Sequence, residues 1–162
     1  MAPAGAAHPS LLLLGSLPGE ASLKAQRYYA HPQNQFWRLL GAALGESFAE
    51  LDYDNRLARL AERQVALWDV VGAAKRSGSL DGALREVSIN PLADYVARQP
   101  QLLAIGFNGQ TAAKLGRRVL DATPLTLVDL PSSSPAYTLA FADKAARWSM
   151  LANFAAAATL AR

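Results

Sequence analysis

Residues 11–19, Leu-Leu-Leu-Leu-Gly-Ser-Leu-Pro-Gly, constrain this chain more than any other stretch. Four leucines cut off by Gly-x-x-Pro-Gly read as a buried strand that stops abruptly. Gly15, Pro18 and Gly19 punctuate regular structure, and Gly19 can take the positive φ that other residues avoid. In open α/β sheets, ligands sit outside the carboxyl ends of the strands. The loop that follows, with Tyr28, Tyr29, His31 and Asn34, is therefore the natural place for a site. A connecting loop with a packed Tyr pair accounts for the same residues.

The rest of the chain alternates strand and helix. Over 34–44, Phe36, Leu39, Leu40, Ala43 and Leu44 form one apolar helical face, and Gly45 ends it. Asn34 then stands at the helix N-terminus, where an Asn ordinarily caps by accepting backbone N–H bonds. A second helix over 54–64 turns Leu57, Leu60 and Ala61 inward and leaves Arg56, Arg59 and Arg63 on a solvated face. Residues 65–71 predict the second strand, in which Asp69 is the odd member: a carboxylate there must find donors or water, so it either holds a loop or faces the site. Residues 72–79 form a basic loop with Lys75 and Arg76. Ser79 can cap a short helix through Glu86, and Asn90 caps another that runs to 99 with Pro91 in its first turn.

The third strand spans 101–107 and ends at Asn108-Gly109, which is either a plain turn or a second amide at a strand tip. A helix over 110–120, a fourth strand over 125–130, the loop from Pro131 to Tyr137 and a last helix over 141–160 complete the chain. Phe141, Ala145, Trp148, Leu151 and Ala155 share one face of that helix. The alternation predicts an α/β protein: a three-layer α/β/α sandwich around a four-stranded parallel sheet, with the loops after strands one, three and four on one edge. One domain spans 1–162, with a flexible N-terminus over 1–9.

Composition narrows the chemistry. The 162 residues include no cysteine and two histidines, which removes thiol catalysis, iron–sulfur clusters and an ordinary histidine zinc site, so neither metal nor cofactor is expected. The first ten residues carry no Lys or Arg and the apolar run after them is four residues long, which gives neither a signal peptide nor a membrane span and implies a cytoplasmic protein. A net charge of +3 and a pI near 9.4 suit a polyanionic partner.

Three motifs taken together resemble the uracil-DNA glycosylase superfamily: Gly15-Ser16-Leu17-Pro18-Gly19, Tyr29-Ala30-His31-Pro32-x-Asn34-x-Phe36-Trp37 and Leu130-Pro131-Ser132-Ser133-Ser134-Pro135-Ala136-Tyr137. Within it the pattern is most similar to the hypoxanthine-DNA (deoxyinosine) glycosylases. In the related mismatch-specific uracil and thymine glycosylases the first loop reads Gly-x-Asn-Pro-Gly and its Asn positions the attacking water. The corresponding residue here is Leu17, whose side chain cannot hydrogen-bond a water. The hypoxanthine branch shares this departure and uses the Asn of His-Pro-x-Asn, which is Asn34.

The resemblance implies an enzyme that flips a deaminated base out of DNA and hydrolyses its N-glycosidic bond; with no Lys poised as an amine nucleophile it is read as monofunctional, and a monomer is expected. Asn34 would hold the water through its amide oxygen. Tyr29 would stack on the base, while Ser16, Leu17, Gly19, Phe107 and Asn108 would border it and its developing charge. Ser132, Ser133 and Ser134 would contact phosphate, and Pro135, Ala136 and Tyr137 would supply the wedge. His31 is read as a loop anchor. The competing readings are a uracil or mismatch-thymine glycosylase, a non-catalytic module that binds damaged DNA, and a nucleotide-binding protein with a phosphate cradle at 15–19, which lacks a P-loop lysine.

Overall fold

The computed structural model describes residues 1–74 and 87–158. The basic loop with Lys75 and Arg76 and the Ser79–Glu86 helix lie wholly or partly outside the described residues, whereas the last helix, expected over 141–160, stops at Trp148 and is followed by a 3₁₀ turn over Ser149–Asn153. The central sheet has the order β1-β3-β2-β6-β7, built from β1 (Ala4–Gly5), β2 (Leu11–Gly15), β3 (Val65–Asp69), β6 (Ala104–Asn108) and β7 (Thr126–Leu130). The last four are parallel, as expected. The fifth strand, β1, runs antiparallel to β3 on the edge, so the N-terminus is tied into the sheet rather than loose. The Met1 carbonyl also accepts from Trp68 Nε1 at 3.0 Å.

Leu11 to Leu14 are all buried because β2 has a neighbour on each side and helices over each face. The two faces can be read at adjacent residues of β6. Gly106 faces Leu151, just beyond α6 (Phe141–Trp148), whereas the ring of Phe107 packs on Gly116 of α5 (Gln110–Leu120). Helix α2 (Phe36–Leu44) packs with α6 on the first side, and α4 (Leu92–Ala97) with α5 on the second.

Elements between the strands differ more from expectation. The segment after the first turn contains a short helix, α1 (Glu20–Ala25), and the second strand divides at Val70, where β4 (Val71–Ala74) leaves to pair with β5 (Val87–Ile89) as a separate antiparallel hairpin. Asn90 does not cap α4; its Nδ2 donates to the main-chain oxygen of Asp69 at 2.8 Å and holds this divergence in place. Of the three arginines of α3 (Tyr53–Glu62) and its end, Arg59 keeps its side chain 43% exposed, but Arg56 and Arg63 are not on a solvated face. Arg63 is buried and paired with Glu46, and Arg56 donates to the Phe48 carbonyl while lying over the Trp37 ring.

Register fixes what stands at the carboxyl edge. Gly15 is opposite Asp69, Leu14 opposite Phe107, and Asn108 opposite Leu130. Gly15, Asp69 and Asn108 therefore end three adjacent strands side by side. Chain order reverses across β2, which makes this edge the crevice where α/β sheets bind ligands.

Candidate active site

A cavity of about 670 Å³ opens over these strand tips. Its lining includes Gly15 to Ser22, Tyr28, Tyr29, His31, Asn34, Asp69, Asn108 and Ser132 to Pro135. The volume lies in the range of small-molecule and nucleotide pockets. Ser16, Leu17, Gly19, Tyr29, Asn34, Asn108, Ser132, Ser133, Ser134 and Pro135 are thus brought together. Phe107 is not: it is fully buried, because adjacent strand residues point to opposite faces and its ring belongs to the α5 side. Ala136 and Tyr137 are exposed beyond the rim.

Gly19 has φ −70, so the first turn does not need the positive φ expected of it. The requirement falls on Gly15 and is one of space. A Cβ there would lie 2.7 Å from Asp69 Oδ1 and 2.9 Å from the Tyr29 hydroxyl. Tyr29 itself takes the left-handed conformation, φ 56, which a bulky side chain adopts only when its surroundings enforce it. Its ring lies flat on Phe36 at 3.8 Å between centroids and 9° between planes, and Phe36 is buttressed edge-on by Trp148. The Tyr29 hydroxyl is buried, and burial, reinforced by the Asp69 carboxylate and only partly offset by the Asn108 amide, pushes its pKa up and keeps the phenol protonated. The aromatic platform is therefore rigid.

Ser133 is the knot of the site. It is 1% exposed, and its four polar contacts join three elements. Its N–H donates to Asn108 Oδ1 at 2.9 Å and its hydroxyl to Asn34 Oδ1 at 2.8 Å; the hydroxyl oxygen accepts from Asn108 Nδ2 at 2.8 Å, and its carbonyl accepts from the Gln35 N–H at 2.9 Å. A hydroxyl so committed is not available to phosphate, which corrects the expectation for this serine. Ser132 and Ser134 hydroxyl oxygens accept from the backbone N–H two residues on, at Ser134 and Ala136 respectively, each at 3.1 Å. Their hydroxyl protons remain to be donated.

Asn34 both caps α2 and lines the cavity. Its Oδ1 accepts from the Phe36 N–H at 2.9 Å as well as from Ser133, so both lone pairs are in use. Because the Phe36 amide can only donate, the amide orientation is fixed: oxygen toward the helix end. No described residue accepts from its Nδ2. His31 Nδ1 accepts from the Gln33 N–H at 3.1 Å, a loop-anchoring bond.

Two residues matter more here than their sequence positions suggested. Lys144 is 1% exposed, and its Nζ donates to Gln35 Oε1 at 2.9 Å and the Ser134 carbonyl at 3.2 Å, clamping the serine loop to the start of α2. Burial lowers its pKa. The signal was present, since position 144 falls at i+3 from Phe141 and i−4 from Trp148 on the inward stripe. Asp69 is 5% exposed at the cavity floor, and burial pushes its carboxyl up to about 6.

Among the described residues no group of three His, Asp or Glu side chains could hold a metal ion, and no helix is long and apolar enough to cross a membrane. The family model of the uracil DNA glycosylase superfamily matches residues 2–157. Two curated relatives are named hypoxanthine DNA glycosylase. The one from Methanosarcina acetivorans is 36% identical over 85% of this chain and 87% of its own length. The one from Methanosarcina barkeri is 40% identical over 64% of this chain, and the match spans 66% of that relative. A solution NMR structure from M. acetivorans, described as a candidate uracil DNA glycosylase, superposes with a TM-score of 0.84 at 33% identity, covering 93% of this chain and 92% of the other.

Proposed function

The chain belongs to the uracil DNA glycosylase superfamily, and from that membership and the geometry of its pocket we propose that it is a monofunctional DNA glycosylase that removes deaminated bases, hypoxanthine first among them. The observation that carries this reading is the cavity over the strand tips, which has an aromatic platform on one side and an amide with an uncommitted nitrogen on another.

The reaction breaks the bond between C1′ of deoxyribose and the base nitrogen. The bonding pair leaves with the base, the sugar becomes oxocarbenium-like, water adds at C1′ and loses a proton, and the departing base takes one up. Flipping costs a few kcal/mol and is cheapest for a mispaired base. Tyr29, backed by Phe36 and Trp148, stacks on the extruded ring. Asn34 positions the water, and it does so through Nδ2 rather than through its oxygen. A water that accepts from Nδ2 with one lone pair keeps the other for C1′. The cap and the Ser133 bond hold that amide still, which is the preorganisation such a step needs. Leu17, Gly19 and Asn108 border the base, the hydroxyls of Ser132 and Ser134 donate to phosphate, and Pro135, Ala136 and Tyr137 form the wedge, with Tyr137 44% exposed on the rim. Lys144 is not among the cavity-lining residues, and two of its three donors are engaged by Gln35 and Ser134, which supports hydrolysis over an amine-dependent lyase step. We place the enzyme in the cytoplasm as a monomer.

Duplexes with a single deoxyinosine, deoxyxanthosine, deoxyuridine or mismatched thymidine, incubated with the protein and then heated in alkali, test the reading. Strand scission at deoxyinosine is expected. Scission at deoxyuridine alone would replace this assignment with uracil excision, and damage-selective binding without scission would replace it with a binding module.

A further inference from the structure

Lys144 has hydrogen-bond partners but no opposite charge. Its Nζ donates to two neutral oxygens, Gln35 Oε1 and the Ser134 carbonyl, and lies over the Tyr137 ring, 5.3 Å from its centroid. Among the described residues every ion pair is made by Arg59, Arg63 or Arg117, so no carboxylate meets this ammonium. Burial lowers its pKa, and no neighbouring charge offsets that effect. Taking a cation out of water without a counter-ion is costly. A neutral amide could donate to the same kind of oxygen without that cost, so clamping alone does not call for a lysine.

The loop packed on Lys144 says which ion it serves. Along 130–134 the main-chain oxygens are taken up by the protein. Leu130 accepts from the Gly109 N–H at 3.0 Å, Pro131 from Trp148 Nε1 at 2.9 Å, Ser133 from the Gln35 N–H, and Ser134 from the Tyr137 N–H at 3.1 Å as well as from Lys144. The hydroxyl oxygens of Ser132 and Ser134 accept from backbone N–H groups, which leaves their protons to donate. A segment whose acceptors are consumed and whose donors are free, laid against a buried cation, is built for an anion. Both serines line the cavity, so the anion within their reach is a phosphodiester beside the extruded nucleotide.

We propose that Lys144 supplies the charge of this phosphate site. It is a positioning residue that acts through the loop: it holds the Ser134 carbonyl away from the DNA and attracts, without touching it, the phosphodiester that the Ser132 and Ser134 hydroxyls bind. This rests on the glycosylase reading above and deepens it. One layer of chain is about 5 Å thick, less than the roughly 8 Å over which physiological salt screens a charge. At 1% exposure Lys144 is also shielded from the ions that would weaken the attraction.

Two substitutions separate charge from clamp. Lys144→Met removes both, whereas Gln35→Leu removes one arm of the clamp and keeps the charge. Each protein is titrated with a duplex carrying one 2′-fluoro-deoxyinosine, which resists hydrolysis, and with duplexes in which one linkage flanking that nucleotide is a neutral methylphosphonate. At one linkage the neutral group is expected to cost the wild type and Gln35→Leu about 5- to 50-fold more affinity than it costs Lys144→Met, the strength of a charge pair somewhat beyond contact near a protein surface. The slope of log affinity against log salt should become shallower by about 1 in Lys144→Met alone. Lys144→Gln, which keeps a donor for the loop, is carried through the same cycle, so a poorly folded methionine variant does not spare the proposal. A difference within about twofold at every linkage, the additivity of unconnected sites, in a protein that cleaves deoxyinosine makes Lys144 a clamp only and leaves the glycosylase reading intact. A wild type that cleaves no deaminated base overturns that reading, whatever the difference.

Discussion

Two buried ionic groups sit at opposite ends of β3 and are treated in opposite ways. Just before the strand, Arg63 is 6% exposed and held by three bonds: Nε donates to the Ala156 carbonyl at 2.6 Å, and Nη1 to the Leu44 carbonyl at 2.9 Å and to Glu46 at 3.1 Å. Glu46 receives a second guanidinium from Arg59 at 2.7 Å. At the last residue of the strand, Asp69 is as deeply covered and receives no donor from a described residue. A charge bonded to several partners joins pieces of the fold, here the ends of α2 and α3 and the C-terminal segment. A charge with its bonding capacity unspent is poised for something that arrives from outside.

The largest expected effect tests the first half of that contrast. Arg63→Ala leaves Glu46 half-paired in a buried setting and strips the Ala156 and Leu44 carbonyls of their donor, a loss on the order of 3–5 kcal/mol of folding stability. Urea denaturation should show the midpoint collapse. A variant within about 0.5 kcal/mol of wild type, the range of a surface change, would mean that the bond network is ornamental and the contrast empty.

Asn34 combines both behaviours in one side chain, its oxygen spent on the fold and its nitrogen not, so two substitutions separate them. Asn34→Asp keeps an oxygen for Phe36 and Ser133 but removes the donor; Asn34→Ala removes both. If the nitrogen holds the water, single-turnover cleavage of deoxyinosine should fall about 100- to 1000-fold in each, as for loss of one preorganised catalytic bond, and Asn34→Ala alone should also lose about 1 kcal/mol of stability with its cap. Full turnover in Asn34→Asp would return the catalytic role to the oxygen.

These contrasts mark how far the sequence could be read. The parallel sheet, its strand order of appearance and the edge that carries the site follow from local signals: a leucine run broken by Gly-Ser-Leu-Pro-Gly, an amphipathic stripe after Asn34, a Pro-Ser turn after Leu130. Local signals also pointed to Tyr29, Asn34 and Asn108, which line the cavity. What they could not give is which atom of each side chain is already in use. Ser133 reaches Asn34 across 99 positions and Asn108 across 25, so nothing in the neighbourhood of any one of them announces the knot. Arg63 misled for the same reason, because a partner at Glu46, 17 positions away, buries a residue that continues a polar stripe. Phe107 misled by parity, one residue short of the strand face that meets the pocket.

The smallest effect tests the second half of the contrast, and it runs against the usual direction for acidic residues. The carboxyl of Asp69 sits at about 6 in the folded chain against an ordinary 3.8. Below the lower value both folded and unfolded chains hold the proton and the residue costs nothing. As pH rises through 4 toward 6 the unfolded chain releases its proton first, so stability is withdrawn, and above 6 the penalty levels off at about 1–3 kcal/mol. Asp69→Asn carries no such charge. Urea melts of the two proteins at pH 4.5 and pH 8 should therefore show the variant drawing ahead only at the higher pH, while the Arg63–Glu46 pair contributes equally to both and drops out of the difference. A gap that stays constant across that window would mean the carboxylate finds a compensating donor in solution, and Asp69 would then belong with Arg63 among the groups whose bonds are already made.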